Sequence, residues 1–424
     1  MRKWWALLQA GLVVAGIWQA SAAEPPAPSF ARAIDALDLT GVVRLDYFRS
    51  SKLLDAETDF LGLTAQLKAL PTLTRTLDAK IEARFLSPPL EKGSDFDARL
   101  LEGYLTWHSS KVEMRLGRQI VAWGRADGIN PTDNLTPRDY VVLLPFEDDQ
   151  RFGTTAAKID YFVTHEHTLT VFATPFFEPH RIPAAPGRLD RVLPSRSWSN
   201  TEVGVRLNKV GETLDWSLSY FRGFNLLPTL SLRQDTAGPF LRSHHDRIRV
   251  YGADFARNFG RFGLRGEIAY VDTHDRKGRD PAALNPSLYG IIGVDRTFLS
   301  NLNVNVQYFR CQIRRFRSVE RVIDPTERSV AFQSALVTGQ RDRVSDGASF
   351  RISNKWFHDT LEAEVFGIIN FTTEDSFARP QVTYLFSDHW KASLGFDWIR
   401  GDPDTPFGSQ KSNRGAFFEM RFSF

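Results

Sequence analysis

From Leu61 to Ala69 the chain alternates: Leu61, Leu63, Ala65, Leu67 and Ala69 fall on one side of an extended segment, and Gly62, Thr64, Gln66 and Lys68 on the other. A period of two places successive side chains on opposite faces of a strand, so the pattern predicts a strand with one apolar and one polar face. Leu77, Ala79, Ile81, Ala83 and Phe85 repeat it against Asp78, Lys80, Glu82 and Arg84, with Pro71 and Thr72 marking the turn between the two segments. Leu302, Val304, Val306 and Tyr308 oppose Asn303, Asn305 and Gln307; Trp390, Ala392, Leu394, Phe396 and Trp398 oppose Lys391, Ser393, Gly395 and Asp397. A soluble sandwich shares this alternation with its apolar face turned inward, so other features must decide.

The connections supply one. Compact turns near 70–75, 109–110, 164–166, 208–212, 257–261, 298–301, 354–357 and 386–389 interleave with longer stretches near 50–58, 87–97, 122–152, 178–200, 222–246, 273–286, 311–344 and 400–412, and a shorter one near 371–375. Short turns on one side and long loops on the other are the asymmetry of an outer-membrane barrel. The expected fold is therefore all-β: a closed antiparallel transmembrane β-barrel of about 18 strands, with 16 as the alternative, short periplasmic turns and long extracellular loops. The stretch 311–344 is the least determined, because Ser329 to Val337 offers a hairpin of its own. Tyr47, Phe85, Trp107, Trp216, Tyr220, Phe255, Tyr270, Tyr384, Trp390 and Trp398 sit near the ends of the apolar rows, as two interfacial girdles would require.

Composition removes some options. Charged residues make up 24% of the chain and mean hydropathy is −0.28. Past the N-terminus no apolar run reaches the roughly 18 residues of a membrane helix, whereas a spanning strand needs only about 9–11 residues with every second one apolar. Residues 1–23 carry Arg2 and Lys3, an apolar stretch from Trp4 to Trp18 and the small residues Ala20-Ser21-Ala22-Ala23, the layout of a cleavable secretion signal. Residues 24–38 are expected to form a short periplasmic or lumenal segment, partly helical over Phe30 to Leu37, and 39–424 the barrel. Removing Arg2 and Lys3 with the leader leaves 51 basic residues against 50 acidic, which argues against a nucleic-acid partner. The single cysteine, Cys311, permits neither an internal disulfide nor a Cys-rich metal site.

The sequence stops within the pattern. Ala416, Phe418, Met420, Phe422 and Phe424 lie on one face of a final strand, with Glu419, Arg421 and Ser423 on the other. A free apolar edge invites aggregation, and a closed barrel abolishes it by pairing the last strand with the first. These residues resemble the C-terminal signature of Gram-negative outer-membrane β-barrel proteins of the porin-like kind, which implies recognition by the barrel-assembly machinery through Phe418, Phe422 and Phe424. More loosely, Leu116-Gly117-Arg118-Gln119-Ile120-Val121 with Trp123-Gly124 and Ile129-Asn130-Pro131 is similar to a segment of uncharacterised porin-like proteobacterial barrels.

With lipid outside, the polar face lines the lumen. The pore-lining candidates are Arg44, Lys68, Lys80, Glu82, Arg84, Glu102, Arg115, Arg206, Arg265, Glu267, Arg351, Glu364, Lys391 and Asp397, and neither sign dominates. Cross-strand charge ladders are the competing reading of the same residues. The long stretch from Ala122 to Phe152 carries Arg125, Asp127, Asp133, Arg138, Asp139, Asp148 and Asp149, candidates for a loop folded into the channel as a constriction. Asp127, Asn130, Asp133 and Asn134 do not match an EF-hand spacing, and the histidine pairs at 165 with 167 and 244 with 245 lack further ligands, so no metal or cofactor is expected. The expectation is a multi-pass barrel of the outer membrane of a Gram-negative bacterium. It would pass small polar or charged solutes and contact outer-membrane lipid and lipopolysaccharide. A structural, adhesive or complex-forming barrel is the alternative. A barrel-embedded hydrolase is disfavoured because no Gly-x-Ser-x-Gly or His-Glu-x-x-His motif occurs. The residues leave the oligomeric state open.

Overall fold

The computed structural model describes residues 37–54, 57–87, 97–141, 150–183, 188–278, 280, 283–299 and 301–424; the expected leader and the segment after it, up to residue 36, lie outside them. Eighteen strands form the wall: β1 (Leu39–Leu54), β2 (Glu57–Ala69), β3 (Leu77–Leu86), β4 (Asp97–His108), β5 (Val112–Gln119), β6 (Thr154–Phe162), β7 (His167–Thr174), β8 (Glu202–Lys209), β9 (Asp215–Phe224), β10 (Arg247–Phe259), β11 (Phe262–Thr273), β12 (Ser287–Thr297), β13 (Asn303–Ile313), β14 (Val344–Trp356), β15 (Leu361–Asn370), β16 (Asp375–Leu385), β17 (Trp390–Arg400) and β18 (Gly415–Ser423). Each pairs antiparallel with its neighbours in sequence. The ring closes where β1 meets β18, with Leu45 opposite Met420 and Tyr47 opposite Phe418. The 16-strand alternative is excluded. Phe424 extends the seam: its N–H donates to the Gly41 carbonyl at 3.0 Å and its own carbonyl accepts the Gly41 N–H at 2.8 Å.

The two faces are sorted as a membrane barrel requires. Leu45, Leu61, Ile81, Leu116, Leu218, Ile268, Ile292, Val306 and Leu394 remain 38–60% exposed, where a dry sandwich core would have hidden them. Their polar neighbours in sequence, such as Arg44, Glu267, Asn305, Gln307 and Ser393, are buried on the opposite face. Alternation thus sets which side meets lipid, and closure satisfies every strand edge without water, the condition for crossing a bilayer. Trp107, Trp356, Tyr384 and Trp390 stand near the short-turn ends of their strands. Tyr47, Tyr251, Tyr270, Tyr308 and Trp398 stand towards the loop ends. The chain is a multi-pass outer-membrane β-barrel.

The loops carry structure of their own. Leu189–Arg191 runs parallel to the hairpin strand Gly238–His244, whose antiparallel partner is Thr229–Asp235. Over Ser329–Val337 the hairpin expectation was wrong: the segment lies within helix α1 (Pro325–Thr338). The Asp324 carboxylate accepts the N–H groups of Thr326 (2.9 Å) and Glu327 (2.8 Å), Pro325 occupies the first turn, and Gly339 ends the helix at φ 70°. Those caps outweigh the weak alternation of the segment. The Leu230 N–H donates to Ser334 Oγ at 2.9 Å and joins α1 to the hairpin.

Candidate functional site

The wall supplies the first layer of the site. All fourteen pore-lining candidates fall on the face opposite the exposed apolar rows, mostly as cross-strand pairs. Lys80 bonds Glu102 and lies 2.8 Å from Glu82, which faces Lys68 across β2 and β3. Arg84 Nε donates to Gln66 at 3.1 Å; Arg44 stands 4.0 Å from Glu419; Arg206 lies 3.2 Å from Asp254, and Arg265 3.2 Å from Asp295. Arg115 pairs with Glu113 at 2.9 Å, Asp397 accepts two bonds from Arg379 (2.5 and 2.8 Å), and Lys391 faces Arg421 across β17 and β18. The degree of exposure separates two groups. Arg44, Arg84, Glu102 and Glu267 are buried and brace the wall, whereas Arg115, Arg265 and Arg351 keep about a third of their surface (33%, 42% and 30%).

The connection from β5 to β6 supplies the second layer. Val121, Trp123 and Leu135 pack in one buried cluster with Ala156, Phe172, Phe221, Ile248, Val250, Ala269 and Leu284. Phe172, Phe221, Val250 and Ala269 are inward-facing wall positions, so over β7–β11 the lumenal face turns apolar at one height and receives the apolar side of the loop. Gly204 makes the seat: a Cβ there would stand 2.8 Å from the Trp123 ring. Gly124 turns the chain at φ 99°, where a Cβ would meet the Glu267 carboxylate at 2.6 Å.

Glu267 anchors this segment. Its carboxylate accepts the Thr132 N–H and Thr132 hydroxyl, both at 2.8 Å, and the N–H groups of Arg125 (3.1 Å) and Ala126 (3.4 Å). Arg125 reaches Asp254 at 2.6 Å and Asn208 at 2.6 Å. Beyond it, Asp127 leaves the β5 side altogether. Its N–H donates to Gln307 (3.2 Å), its carbonyl accepts from Gln307 (2.7 Å), and its carboxylate accepts from Asn305 (3.3 Å) and Arg351 Nε (3.0 Å). Arg351 stands on β14, nine strands on from β5 in a ring of eighteen, so the segment, bonded on the way to β8, β10, β11 and β13, reaches the opposite wall.

The other loop charges are spent on holding the loop. Asp133 binds Arg151 at 2.5 Å and accepts the Trp123 N–H; Asp139 binds Arg99 of β4 and lies 3.6 Å from Arg181. Asp148 and Asp149 lie outside the described residues. Among the described residues no group of three or more His, Cys, Asp or Glu side chains is placed to hold a metal ion. Sequence reasoning missed Arg99, Asn208, Asn305 and Gln307 as loop partners. The apolar inward positions of β7–β11 were the available signal for a docked loop.

A second loop locks the first. The Arg138 N–H donates to His180 Nδ1 at 2.8 Å, the Arg181 N–H to the Arg138 carbonyl (2.9 Å), and the Tyr140 N–H to the Arg181 carbonyl (2.8 Å). Burial, then the charges of Arg138 and Arg151 and the nearby His245, push His180 from 6.5 down to about 3. The docked form holds the neutral ring while the free loop takes a proton below 6.5, so docking loses stability as pH falls from 6.5 towards 3, by about 2 kcal/mol at pH 5. Hydrogen exchange at the Tyr140 and Arg181 amides, corrected for intrinsic rate, is expected to accelerate over that window. A flat profile would reject the lock.

Known proteins give a consistent picture. A family profile described as "Protein of unknown function (DUF1302)" matches residues 87–285, just under half the chain. No curated protein matches the sequence. Among solved structures, OccAB4 of Acinetobacter baumannii superposes with a TM-score of 0.54 at 10% identity, covering 91% of this chain and 97% of that one. The outer membrane protein OpdK of Pseudomonas aeruginosa gives 0.54 at 12% identity, covering 91% and 98%. OccD3 (OpdP) of the same organism gives 0.54 at 11%, covering 92% and 91%. At such identities the likeness is one of fold, and the fold is that of outer-membrane porins.

Proposed function

We propose that the barrel is a porin-like channel through which small polar or charged solutes diffuse passively, and that the connection between β5 and β6 is its constriction. The observation that supports this reading is the contact of Asp127 with Arg351 on β14, which holds a segment of the β5–β6 connection within the barrel at that height. Asp127 and Arg351 keep 28% and 30% of their surface there, beside Glu364, which lies 2.8 Å from Arg351 and accepts from Gln381 at 3.2 Å. A passage lined by both signs and an amide suits solutes able to exchange water for hydrogen bonds. Apolar solutes have little to gain from it.

Single-channel recording of the refolded protein in planar bilayers tests both halves of the proposal. Replacing residues 126–149 by a short Gly-Ser linker is expected to raise unit conductance several-fold. Equal conductance in the two proteins would remove the constriction, and a folded barrel that passes no current would remove the channel.

A further inference from the structure

Not all outward-facing charge is paired. At the short-turn ends of β10, β11 and β12 stand Arg257, Arg261 and Arg296, and among the described residues no carboxylate lies within ion-pair distance of any of them. Register puts two of them on the lipid side: Arg257 faces Leu264, Phe259 faces Phe262, and Phe262 faces Arg296, in the same outward set as the exposed Val294. Arg261 occupies the turn between β10 and β11. The rings hold the cations in place: Arg257 lies 4.5 Å from the Phe259 centroid, and Arg296 lies 4.7 Å from Phe262 and 4.5 Å from Phe298. Arg296 Nε is buried without a hydrogen-bond partner.

We infer that this rim binds the phosphate of an anionic phospholipid in the periplasmic leaflet. An unpaired guanidinium on a lipid face is tolerated only near the headgroups, where its planar fork matches a phosphodiester with two parallel hydrogen bonds. The aromatic faces sit at the boundary between acyl chains and headgroups, which sets the depth at which a phosphate is met. Arg257 and Arg296 are two strands apart, about 10 Å, so each has room for its own phosphate oxygen pair. The inference rests on the orientation of the barrel and is independent of conduction.

The test is native mass spectrometry of the detergent-solubilised protein titrated with phosphatidylglycerol, phosphatidylcholine or lipid A. Phosphatidylglycerol is expected to bind at least several-fold more tightly than phosphatidylcholine. Combined Arg257→Gln, Arg261→Gln and Arg296→Gln substitution should weaken it by about tenfold, while the three corresponding Lys substitutions, which keep the charge and lose the bidentate fork, should fall between wild type and the Gln variant. Heat-modifiable migration reads folding, and the single Gln variants carry the same comparison should the triple variant not fold. Undiminished phosphatidylglycerol binding by the Gln variants, no preference over phosphatidylcholine, or displacement from this rim by lipid A would each overturn the inference.

Discussion

Glu267→Ala is expected to raise single-channel conductance several-fold, approaching that of the 126–149 replacement, with the barrel still folded. One carboxylate accepts three loop N–H groups and the Thr132 hydroxyl, and its removal leaves those donors buried on the dry side of the loop. Each orphaned donor costs roughly 1–3 kcal/mol, and the packing of Trp123 and Leu135 has to hold the loop against that sum. The wall itself loses nothing comparable, since the backbone ladders from β11 to β10 and β12 do not involve the side chain. Glu267→Gln keeps one acceptor oxygen and should fall between the two. A wild-type conductance in Glu267→Ala would mean that the loop is held by its apolar cluster alone, and the anchoring role would be lost.

Arg351→Glu is expected to turn the channel towards cations, with the cation-to-anion permeability ratio rising on the order of tenfold. The guanidinium now lies between Asp127 (3.0 Å) and Glu364 (2.8 Å). Substitution changes the local charge by two units and leaves three carboxylates facing one passage. A charge change of two units acting over about 5 Å in a water-like medium is worth between 1 and 2 kcal/mol for each ion, with opposite sign for cation and anion, and screening by salt roughly halves it, which leaves the ratio changed on the order of tenfold. Reversal potential under a potassium chloride gradient measures it, and Arg351→Gln should move the potential about half as far. An unchanged reversal potential would place the narrowest point elsewhere.

Both predictions concern contacts that the alternation of the sequence does not contain. Leu61 to Ala69 and Trp390 to Trp398 announce their faces because strand geometry is local, and turn lengths announce strand number because antiparallel neighbours need only short links. The loop residues were recognisable as charged, but Arg125 finds Asn208 and Asp254, and Asp127 finds Arg351, across sequence gaps that no local pattern bridges. Asp133 and Asp139, counted among the residues of a constriction loop, bind Arg151 and Arg99 and fasten that loop, partners that the local sequence does not name. At Ser329–Val337 the failure was of a different kind. The capping residues Asp324 and Gly339 were legible, but the short apolar run between them was weighed for strand alone.

The ties between outer loops carry a consequence for how this surface can vary. Leu189–Arg191 pairs with Leu241–Ser243, Gln340 exchanges hydrogen bonds with Asn285, and Arg341 reaches Asp404, so segments far apart in sequence present one composite relief. Antibodies against it would have discontinuous epitopes, and a mutation that alters one segment to escape them must also be accommodated by its partner.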